Sequence, residues 1–235
     1  MPYKPFRMDR LGLLAGYAEK AGKVGSHSTM PAFSLCSGRS YPYVEAMSQL
    51  LQIQTPVLFE SGAGMFDPVT ALSTWHPTFT DEIRAEVDDL RRFLETIVLR
   101  RSDISIDYAK RSQAAMVGVP NGSLEEARLE IEEYAAKHHP RFNVFHTHIS
   151  IDVVPFGLTK AEGMTWLAET CGITVEEMAF VGDTGGDVGA LSIVGASFAP
   201  ANGTEDARAA ARHASQHYDV DAVVEAYESV CRLAS

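Results

Sequence analysis

The 235-residue sequence predicts an α/β fold in which a parallel-sheet core is interrupted by a unit of different character. Near both ends of the chain, short apolar runs that stop at glycine turns alternate with amphipathic stretches, a pattern typical of parallel βα units. The middle of the chain instead carries a long charged helix and then segments with strand-like alternation. An antiparallel sheet with helices on one face fits that middle part better than another parallel repeat.

The first part of the chain shows the parallel pattern. Apolar residues at helical spacing predict a helix over 10–22, and the run Ala-Phe-Ser-Leu-Cys at 32–36 predicts a short buried strand. This strand stops at Ser37-Gly38-Arg39, and a helix is predicted over 43–52. A second short apolar run predicts a strand over 56–60.

A long, highly charged helix is predicted over 80–101, followed by a strand pair over 102–110 and 113–120. The run from Ser123 to Glu126 has the capping-box pattern and opens another helix. The apolar positions of the long helix share one face. They are Ile83, Val87, Leu90, Leu94 and Ile97.

Residues 142–154 alternate between apolar and polar side chains, which predicts one continuous strand. Phe145, Ile149, Ile151 and Val153 are assigned to one face, and His146, His148, Ser150 and Asp152 to the other.

The parallel pattern returns after residue 154. The chain therefore divides into a discontinuous core, residues 1–75 plus 155–235, and an inserted unit, residues 76–154. A helix is predicted to begin at Lys160 and to continue over 161–169, and two more are predicted over 187–194 and 205–214. Strands are predicted over 178–181 and 196–200.

Composition excludes several classes of protein. Hydrophobic residues are 46% and charged residues 22% of the chain, as in ordinary globular proteins. The formal charge of -11 disfavours nucleic acid or an anionic membrane as a general partner. No apolar run reaches 18 residues and no secretory signal is recognised, which favours a cytoplasmic location. Three widely spaced cysteines suggest neither a zinc site nor a disulfide framework.

Two candidate anion-binding features stand in the predicted core. Ser37 and Gly38 follow a buried strand and precede a helix, so a hydroxyl and an amide there could donate to an anion. The alternative is a simple Ser-Gly turn. Lys160 begins a helix, where the helix dipole disfavours a cation unless an anion joins it. The alternative is a solvated surface lysine.

Asp183 and Asp187 are the strongest candidates for metal ligands in the sequence. Asp183 directly follows a strand and Asp187 lies one helical turn further on, among three glycines. Hard carboxylates at this position suit Mg²⁺, which takes few protein ligands and keeps several waters. The alternative is that both residues only cap and favour the start of the following helix.

Three features in this order resemble three motifs of the haloacid dehalogenase-like phosphatase superfamily. They are a strand followed by Ser-Gly-Arg, then Lys160, and then a strand followed by Gly-Asp-x-x-x-Asp. The 23-residue step from Lys160 to Asp183 is similar to that family's spacing. The inserted unit resembles the Cof-type, subclass IIB cap. The resemblance covers nearly the whole chain and implies a Rossmann-like parallel sheet core with an inserted α+β cap domain.

The resemblance also implies roles for these residues. Ser37 and the Gly38 amide would bind the transferring phosphoryl group, Lys160 would neutralise charge, and Asp183, with Asp187 beside or behind it, would hold Mg²⁺. Because caps of this type close over the active site, His148 and Asp152 become candidates for substrate selection, together with His146, Ser105 and Asp107. Gly186 departs from the Asn of many Cof-type members, so a side-chain phosphate contact from that position is not expected.

The larger departure concerns the family's nucleophile, which comes from an Asp-x-Asp-Gly motif after the first strand. That motif is not found in this sequence. Residues 1–4 are about where such a strand would begin, and Asp9 is the only acidic residue before the first helix. A start assigned too far downstream, a deletion and a naturally degenerate member all remain open.

The function expected from the resemblance is Mg²⁺-dependent hydrolysis of a small phosphomonoester, such as a sugar phosphate or a phosphoglycolate-like compound, through an aspartyl phosphate. This chain as written is expected to have little or no activity. A phosphomutase on the same scaffold and a non-catalytic phosphometabolite-binding protein are the rival interpretations.

Overall fold

The computed structural model describes residues 5–120 and 122–233. The predicted fold class is confirmed, because short parallel strands with helices alternate with one inserted antiparallel sheet. Residues 1–4, where the first strand of the family was expected to begin, lie outside the described part. Asp9 lies in the first turn of the first helix and pairs with Arg7 at 2.9 Å.

The first part of the chain forms two helices and a small antiparallel sheet. Its elements are α1 (Met8–Ala21), α2 (Tyr41–Leu50), β1 (Val57–Phe59), β2 (Gly64–Asp67) and β3 (Leu72–Trp75). The sheet order is β1-β2-β3. The predicted strand 32–36 pairs with β1 in parallel through a single bridge between Cys36 and Leu58.

The inserted unit is a four-stranded antiparallel sheet covered by two helices. Its elements are α3 (Asp81–Val98), β4 (Ile104–Ile106), β5 (Ala114–Gly118), α4 (Leu124–His138), β6 (Phe142–His146) and β7 (Ser150–Pro155). The strand order is β4-β5-β7-β6. All five apolar positions predicted for the face of α3 are buried, as expected for a helix that packs on a sheet.

Two local predictions in this unit are wrong. The stretch 142–154 is a hairpin rather than one strand, because Thr147 closes a turn by accepting the Ile149 and Ser150 amides on its hydroxyl. At the start of α4 no capping box forms. Ser123 donates its hydroxyl and amide to Asp103 instead, at 2.5 and 2.6 Å.

The last part of the chain returns to parallel pairing. Its elements are α5 (Lys160–Cys171), β8 (Ala179–Val181), α6 (Val188–Ile193), β9 (Ala196–Ala199), α7 (Glu205–Ala210), β10 (His213–Ala214) and α8 (Asp219–Leu233). The order is β10-β9-β8, so β8 is an edge strand within the described part of the chain. The predicted helix 205–214 ends early because residues 213–214 pair with β9.

In the described part of the chain, buried apolar residues form three clusters, one mainly in the inserted unit and two outside it. Helices α1, α2 and α8 contribute to one of these two clusters, and α5 and α6 to the other. The parallel strands therefore have helices on both faces, as buried parallel sheets require. Across residues 5–120 and 122–233, no helix combines the length and apolar character needed to cross a membrane.

Candidate functional site

The carboxyl end of β8, the turn after Cys36 and the first turn of α5 meet at one edge of the parallel strands. This edge carries Lys160, Asp183 and Asp187, and the Cys36 thiol is close enough to be affected by the charges of Lys160 and Asp187. The carboxyl edge of parallel strands is where ligands bind in open α/β sheets.

Lys160 and Asp187 form a buried ion pair. The Lys160 Nζ donates to Asp187 Oδ1 at 2.5 Å, and their side chains are only 16% and 2% exposed. Burial lowers the pKa of Lys160, but the charge of Asp187 outweighs it and leaves this pKa above its usual value. Lys160 is therefore a fixed cation at neutral pH. Thr159 and Glu162 form a capping box that begins α5 at this residue.

The second oxygen of Asp187 is also fully engaged. Its Oδ2 accepts from the amides of Asp183 and Thr184 and from the Thr184 hydroxyl, at 2.9 to 3.1 Å. Burial raises the pKa of Asp187, but Lys160 and the Thr184 donors hold it below the usual range. Gly182 permits this close approach, because a Cβ there would lie 2.5 Å from the Cβ of Asp187.

Asp183 differs from Asp187 in its environment. Its side chain is exposed at the mouth of the site, while Asp187 is buried behind it. The surrounding protein raises the pKa of Asp183, and the neighbouring Asp187 charge raises it further against the effect of Lys160. Two carboxylates and one cation leave the site with a local excess of negative charge.

The oxygen atoms of Asp183 and Asp187 can be compared with the ligands that Mg²⁺ prefers. Asp183 fits as one oxygen ligand, since its carboxylate is accessible. Asp187 fits better as a support, because its oxygens already accept four hydrogen bonds. Among residues 5–120 and 122–233, no group of three or more His, Cys, Asp or Glu side chains is placed to hold a metal. Mg²⁺ bound here would therefore take most of its ligands from water and from phosphate oxygens.

The Ser37 turn offers donors to an anion. The Ser37 amide and carbonyl are used by Leu58 and Ser61, and its hydroxyl oxygen accepts from the Arg39 amide at 3.2 Å. The hydroxyl proton stays available for donation. No group in the described ranges accepts from the Gly38 amide. Both predicted donors therefore remain available to a ligand.

Sequence reasoning indicated a glycine turn after β1 but not the part that Glu60 plays in it. Glu60, Ser61 and Gly62 all have positive φ, at 49°, 60° and 93°, which is strained for the first two. A Cβ at Gly62 would lie 2.6 Å from the Cα of Gly163, so the two glycines let this turn pack directly on α5. The Glu60-Ser-Gly62 run after an apolar strand was the available sequence signal for such a turn.

Glu60 joins this turn to the inserted unit. Its carboxylate, 1% exposed, accepts from the amides of Arg111 and Ser112 and from the Ser112 hydroxyl at 2.6 to 3.0 Å. Burial raises the pKa of Glu60 and these hydrogen bonds oppose that rise. The contact fixes the segment before β5 against the end of β1.

The two substrate-selection candidates lie in different surroundings. Asp152 pairs with Lys110, whose side chain is 7% exposed. His148 lies in the β6–β7 turn and lines a cavity of about 180 Å³ together with Arg128 and Glu125. The assignment of His146 to the Asp152 face is wrong, since Asp152 pairs with Phe145 and His146 with Ile151 in the hairpin. Ser105 lies on β4 and Asp107 just beyond it.

The fold and this edge site define an α/β protein with a Rossmann-like parallel core and an inserted cap. A family model described as haloacid dehalogenase-like hydrolase matches residues 101–226, and the chain belongs to that family. The matched range contains Lys160, Asp183 and Asp187, whereas Ser37 lies before it. No curated protein matches the sequence.

Solved structures show the same fold at low identity. A HAD/COF-like hydrolase from Plasmodium vivax has a TM-score of 0.72 at 17% identity, over 97% of this chain and 89% of that chain. A haloacid dehalogenase-like hydrolase from Bacteroides thetaiotaomicron has a TM-score of 0.68 at 18% identity, over 97% and 93%. The sucrose-phosphatase from Synechocystis, solved with sucrose and phosphate, has a TM-score of 0.64 at 13% identity, over 96% and 92%.

Proposed function

We propose that this protein is built to bind and hydrolyse a small phosphomonoester, a sugar phosphate or a phosphoglycolate-like compound, with Mg²⁺ as cofactor. The observation that carries the proposal is the buried Lys160–Asp187 pair. It holds a fixed cation at the same sheet edge as the accessible Asp183 carboxylate and the Ser37 turn. Family membership and a phosphatase among the structural neighbours support the same chemistry.

In this proposal each residue has one task. The Ser37 hydroxyl and the Gly38 amide donate to phosphoryl oxygens, and Lys160 neutralises their charge. Asp187 holds Lys160 in place and orients the Asp183 loop through its bonds to the Asp183 and Thr184 amides. Asp183 is exposed and would be the residue that holds a cation.

The charge balance of the site favours a divalent cation. Lys160 offsets one of the two aspartates, so a phosphate dianion would meet a net negative charge at the mouth. Asp183 would hold Mg²⁺, which would supply the missing positive charge for a bound phosphate. Metal binding should also lower the raised pKa of Asp183, since a nearby cation favours its ionised form.

None of the candidate site residues supplies an efficient nucleophile. Ser37 has no histidine among its hydrogen-bond partners, and a free hydroxyl is weak without a neighbouring base. Burial raises the pKa of the Cys36 thiol to about 12, which leaves almost no thiolate at neutral pH. We therefore propose that the chain as given binds phosphate or vanadate and turns over phosphomonoesters negligibly. A phosphometabolite-binding role is the second candidate for the same reason.

Phosphate binding and turnover can be measured separately. We expect vanadate binding by the wild-type chain that weakens at least about tenfold in Ser37→Ala and in Lys160→Met. Lys137→Met, which changes an exposed lysine on α4, is the matched control and should bind as wild type does. Equal affinity in all four proteins would refute the site.

Turnover is followed by phosphate release from p-nitrophenyl phosphate and a sugar-phosphate panel, with and without EDTA. Robust, EDTA-sensitive release by the 235-residue chain would show that the nucleophile has been overlooked. Conversion of a sugar phosphate to its isomer without phosphate release would instead identify a phosphomutase.

A further inference from the structure

The turn after β1 lies directly against the two residues proposed to bind the phosphoryl group. The Ser61 amide donates to the Ser37 carbonyl at 2.9 Å, and the Glu60 amide donates to the Arg39 carbonyl at 2.8 Å. A Cβ at Gly38 would lie 3.3 Å from the Ser61 hydroxyl oxygen. The directions of the Ser37 hydroxyl and of the Gly38 amide therefore depend on the conformation of this turn.

That conformation is strained and needs support from outside the turn. Glu60 and Ser61 have φ values of 49° and 60°, in the left-handed region that favours glycine. Residues with a side chain keep such values only where the surrounding structure holds them there. Helix α5 supports the turn on one side, because Gly62 and Gly163 let the two backbones touch. The Glu60 side chain provides a second support.

The Glu60 carboxylate leaves the turn and binds the segment before β5. Its Oε2 atom accepts from the Ser112 hydroxyl at 2.6 Å, from the Ser112 amide at 2.7 Å and from the Arg111 amide at 2.9 Å. Its Oε1 atom shares the Arg111 amide at 3.0 Å. One carboxylate therefore joins the strained turn to two consecutive residues of the inserted unit.

The segment that Glu60 binds is anchored within the inserted unit. Lys110, next to Arg111, forms an ion pair with Asp152 on β7. The Lys110 carbonyl also accepts from the Arg91 guanidinium on α3 at 3.1 Å. The position of the antiparallel sheet and its helix is therefore transmitted to residues 111–112, and through them to the Glu60 carboxylate.

The environment of Glu60 distinguishes it from a catalytic residue. Its side chain is 1% exposed and both of its oxygens accept hydrogen bonds from the protein. It is therefore not free to take a proton from water or to bind a metal. Ser112 is equally buried, at 1% exposed, so a ligand that enters from solvent does not touch it.

We propose that Glu60 is a positioning residue, whose carboxylate couples the turn that orients Ser37 and Gly38 to residues 111–112 of the inserted unit. The inference rests on the proposed function for what the turn binds, while the coupling itself rests on the contacts. Coupling of this kind is reciprocal. A phosphate on the Ser37 turn steadies residues 111–112, and loss of the Ser112 contact weakens phosphate binding.

The first test needs no ligand. Ser112→Ala removes a hydroxyl from the contact and should speed hydrogen exchange of the Glu60 and Ser61 amides at least about fivefold. Ser123→Ala is the matched control, because the Asp103 carboxylate accepts from the Ser123 amide and hydroxyl at 2.6 and 2.5 Å within the inserted unit. It should leave both exchange rates unchanged. Equal rates in Ser112→Ala and wild type would overturn the proposal.

The second test measures vanadate affinity. Ser112→Ala and Glu60→Leu should bind vanadate at least about fivefold more weakly than wild type, and Ser123→Ala should bind it equally. Glu60→Gln keeps an oxygen where Oε2 accepts its three hydrogen bonds, so it should stay within about twofold of wild type. Wild-type affinity in Ser112→Ala would overturn the coupling even if Glu60→Leu fails to fold.

Reciprocity gives a readout that a purely structural contact would not move. Vanadate should slow hydrogen exchange of the Arg111 and Ser112 amides in the wild-type chain, although neither residue touches the ligand. Vanadate binding without this protection would refute the coupling.

The outcomes separate this inference from the proposed function. A wild-type chain that fails to bind vanadate would reject the phosphate site. Faster exchange at Glu60 and Ser61 in Ser112→Ala would still support the coupling, and unchanged exchange would overturn it.

Discussion

Asp183 and Asp187 look alike in the sequence and differ in the structure because of one neighbour. The sequence spacing predicted that both carboxylates lie on one turn. It could not show that Lys160, on another helix, forms an ion pair with Asp187. A distant partner of this kind leaves no local pattern. The Thr184-x-x-Asp187 run was visible as a capping box and could have indicated that Asp187 faces back into its own loop.

The first prediction concerns the metal. Asp183→Asn should lower Mg²⁺ affinity at least about tenfold, because it removes the accessible carboxylate. Asp187→Asn should lower it less, since that carboxylate is occupied by four donors. Calorimetric titration gives both affinities, with Asp81→Asn, 97% exposed on the inserted unit, as the control. Unchanged affinity in Asp183→Asn would remove this residue from the site.

The second prediction concerns the buried ion pair. Lys160→Met leaves Asp187 charged and without its partner, which should lower the free energy of unfolding by about 3–5 kcal/mol. Adding Asp187→Asn removes that charge and keeps an acceptor for the Thr184 donors, so the double variant should recover most of the loss. Urea unfolding measures both. A single variant as stable as wild type would contradict the pairing.

The pH dependence of this pair follows from its two pKa shifts. The folded pKa of Asp187 is lowered, so its contribution is lost as pH falls through that value. The folded pKa of Lys160 is raised, so its contribution is lost as pH rises through that value. The stability difference between wild type and the double variant should be full between about pH 4 and pH 10, the unfolded values of the two groups.

At the scale of elements, periodic helices were predictable and the turns between strands were less so. The predicted helix 10–22 is α1 at Met8–Ala21, and the face of α3 is correct at all five positions. The β6–β7 turn escaped because it contains neither glycine nor proline and is closed by the Thr147 hydroxyl. The β2–β3 hairpin was missed although Asp67-Pro68 signals a turn, which the Asp67 carboxylate closes onto Val69.

The third prediction separates the two residues proposed to select the substrate. Asp152→Ala strips the partner from Lys110, whose side chain is 7% exposed, and should cost about 1–3 kcal/mol of stability. His148→Ala changes a turn residue and should leave the melting temperature unchanged. If His148 contacts substrate, relative activities across a phosphate-ester panel should shift in an active version of the protein. Unchanged relative activities across the panel in His148→Ala would exclude this residue from substrate selection.

The fourth prediction concerns the Glu60 contact between β1 and the inserted unit. Burial raises the folded pKa of Glu60, so the folded state binds its proton more readily than the unfolded state does. The stability that depends on this group should therefore fall as pH rises from about 4.3, its unfolded value, through the folded pKa. Unfolding free energies of wild type and Glu60→Gln should diverge with this sign between pH 4 and pH 7. A constant difference would contradict the raised pKa.

At the scale of the molecule, the alternation of parallel and antiparallel patterns predicted the fold class, and the family comparison confirmed it. The boundaries at residues 75 and 155 stay predictions. What the sequence could not show was which strand edges stay open, since local periodicity does not reveal the order of strands in a sheet. Within the described residues β8 is such an edge.

The last prediction concerns the nucleophile that the candidate site lacks. The chain enters α1 at the carboxyl edge of the strands, where Arg7 bonds to Asp221 at 3.0 Å and Asp219 acts on Asp183. An apolar strand fused ahead of α1 could therefore extend the sheet beside β8 and deliver its last residues to the site. A fusion that ends in Asp-x-Asp-Gly should gain EDTA-sensitive release of phosphate from p-nitrophenyl phosphate, because it adds both a nucleophile and metal ligands.

The matched fusion ending in Asn-x-Asn-Gly should extend the sheet in the same way and gain stability in urea without gaining activity. Greater stability in both fusions with hydrolysis in neither would support the added strand and reject the proposed chemistry. If neither fusion is more stable than the unfused chain, the strand does not enter the sheet. If only the fusion ending in Asp-x-Asp-Gly hydrolyses the substrate, the edge site at Lys160 and Asp183 needs one added strand and two added carboxylates to act as a phosphatase.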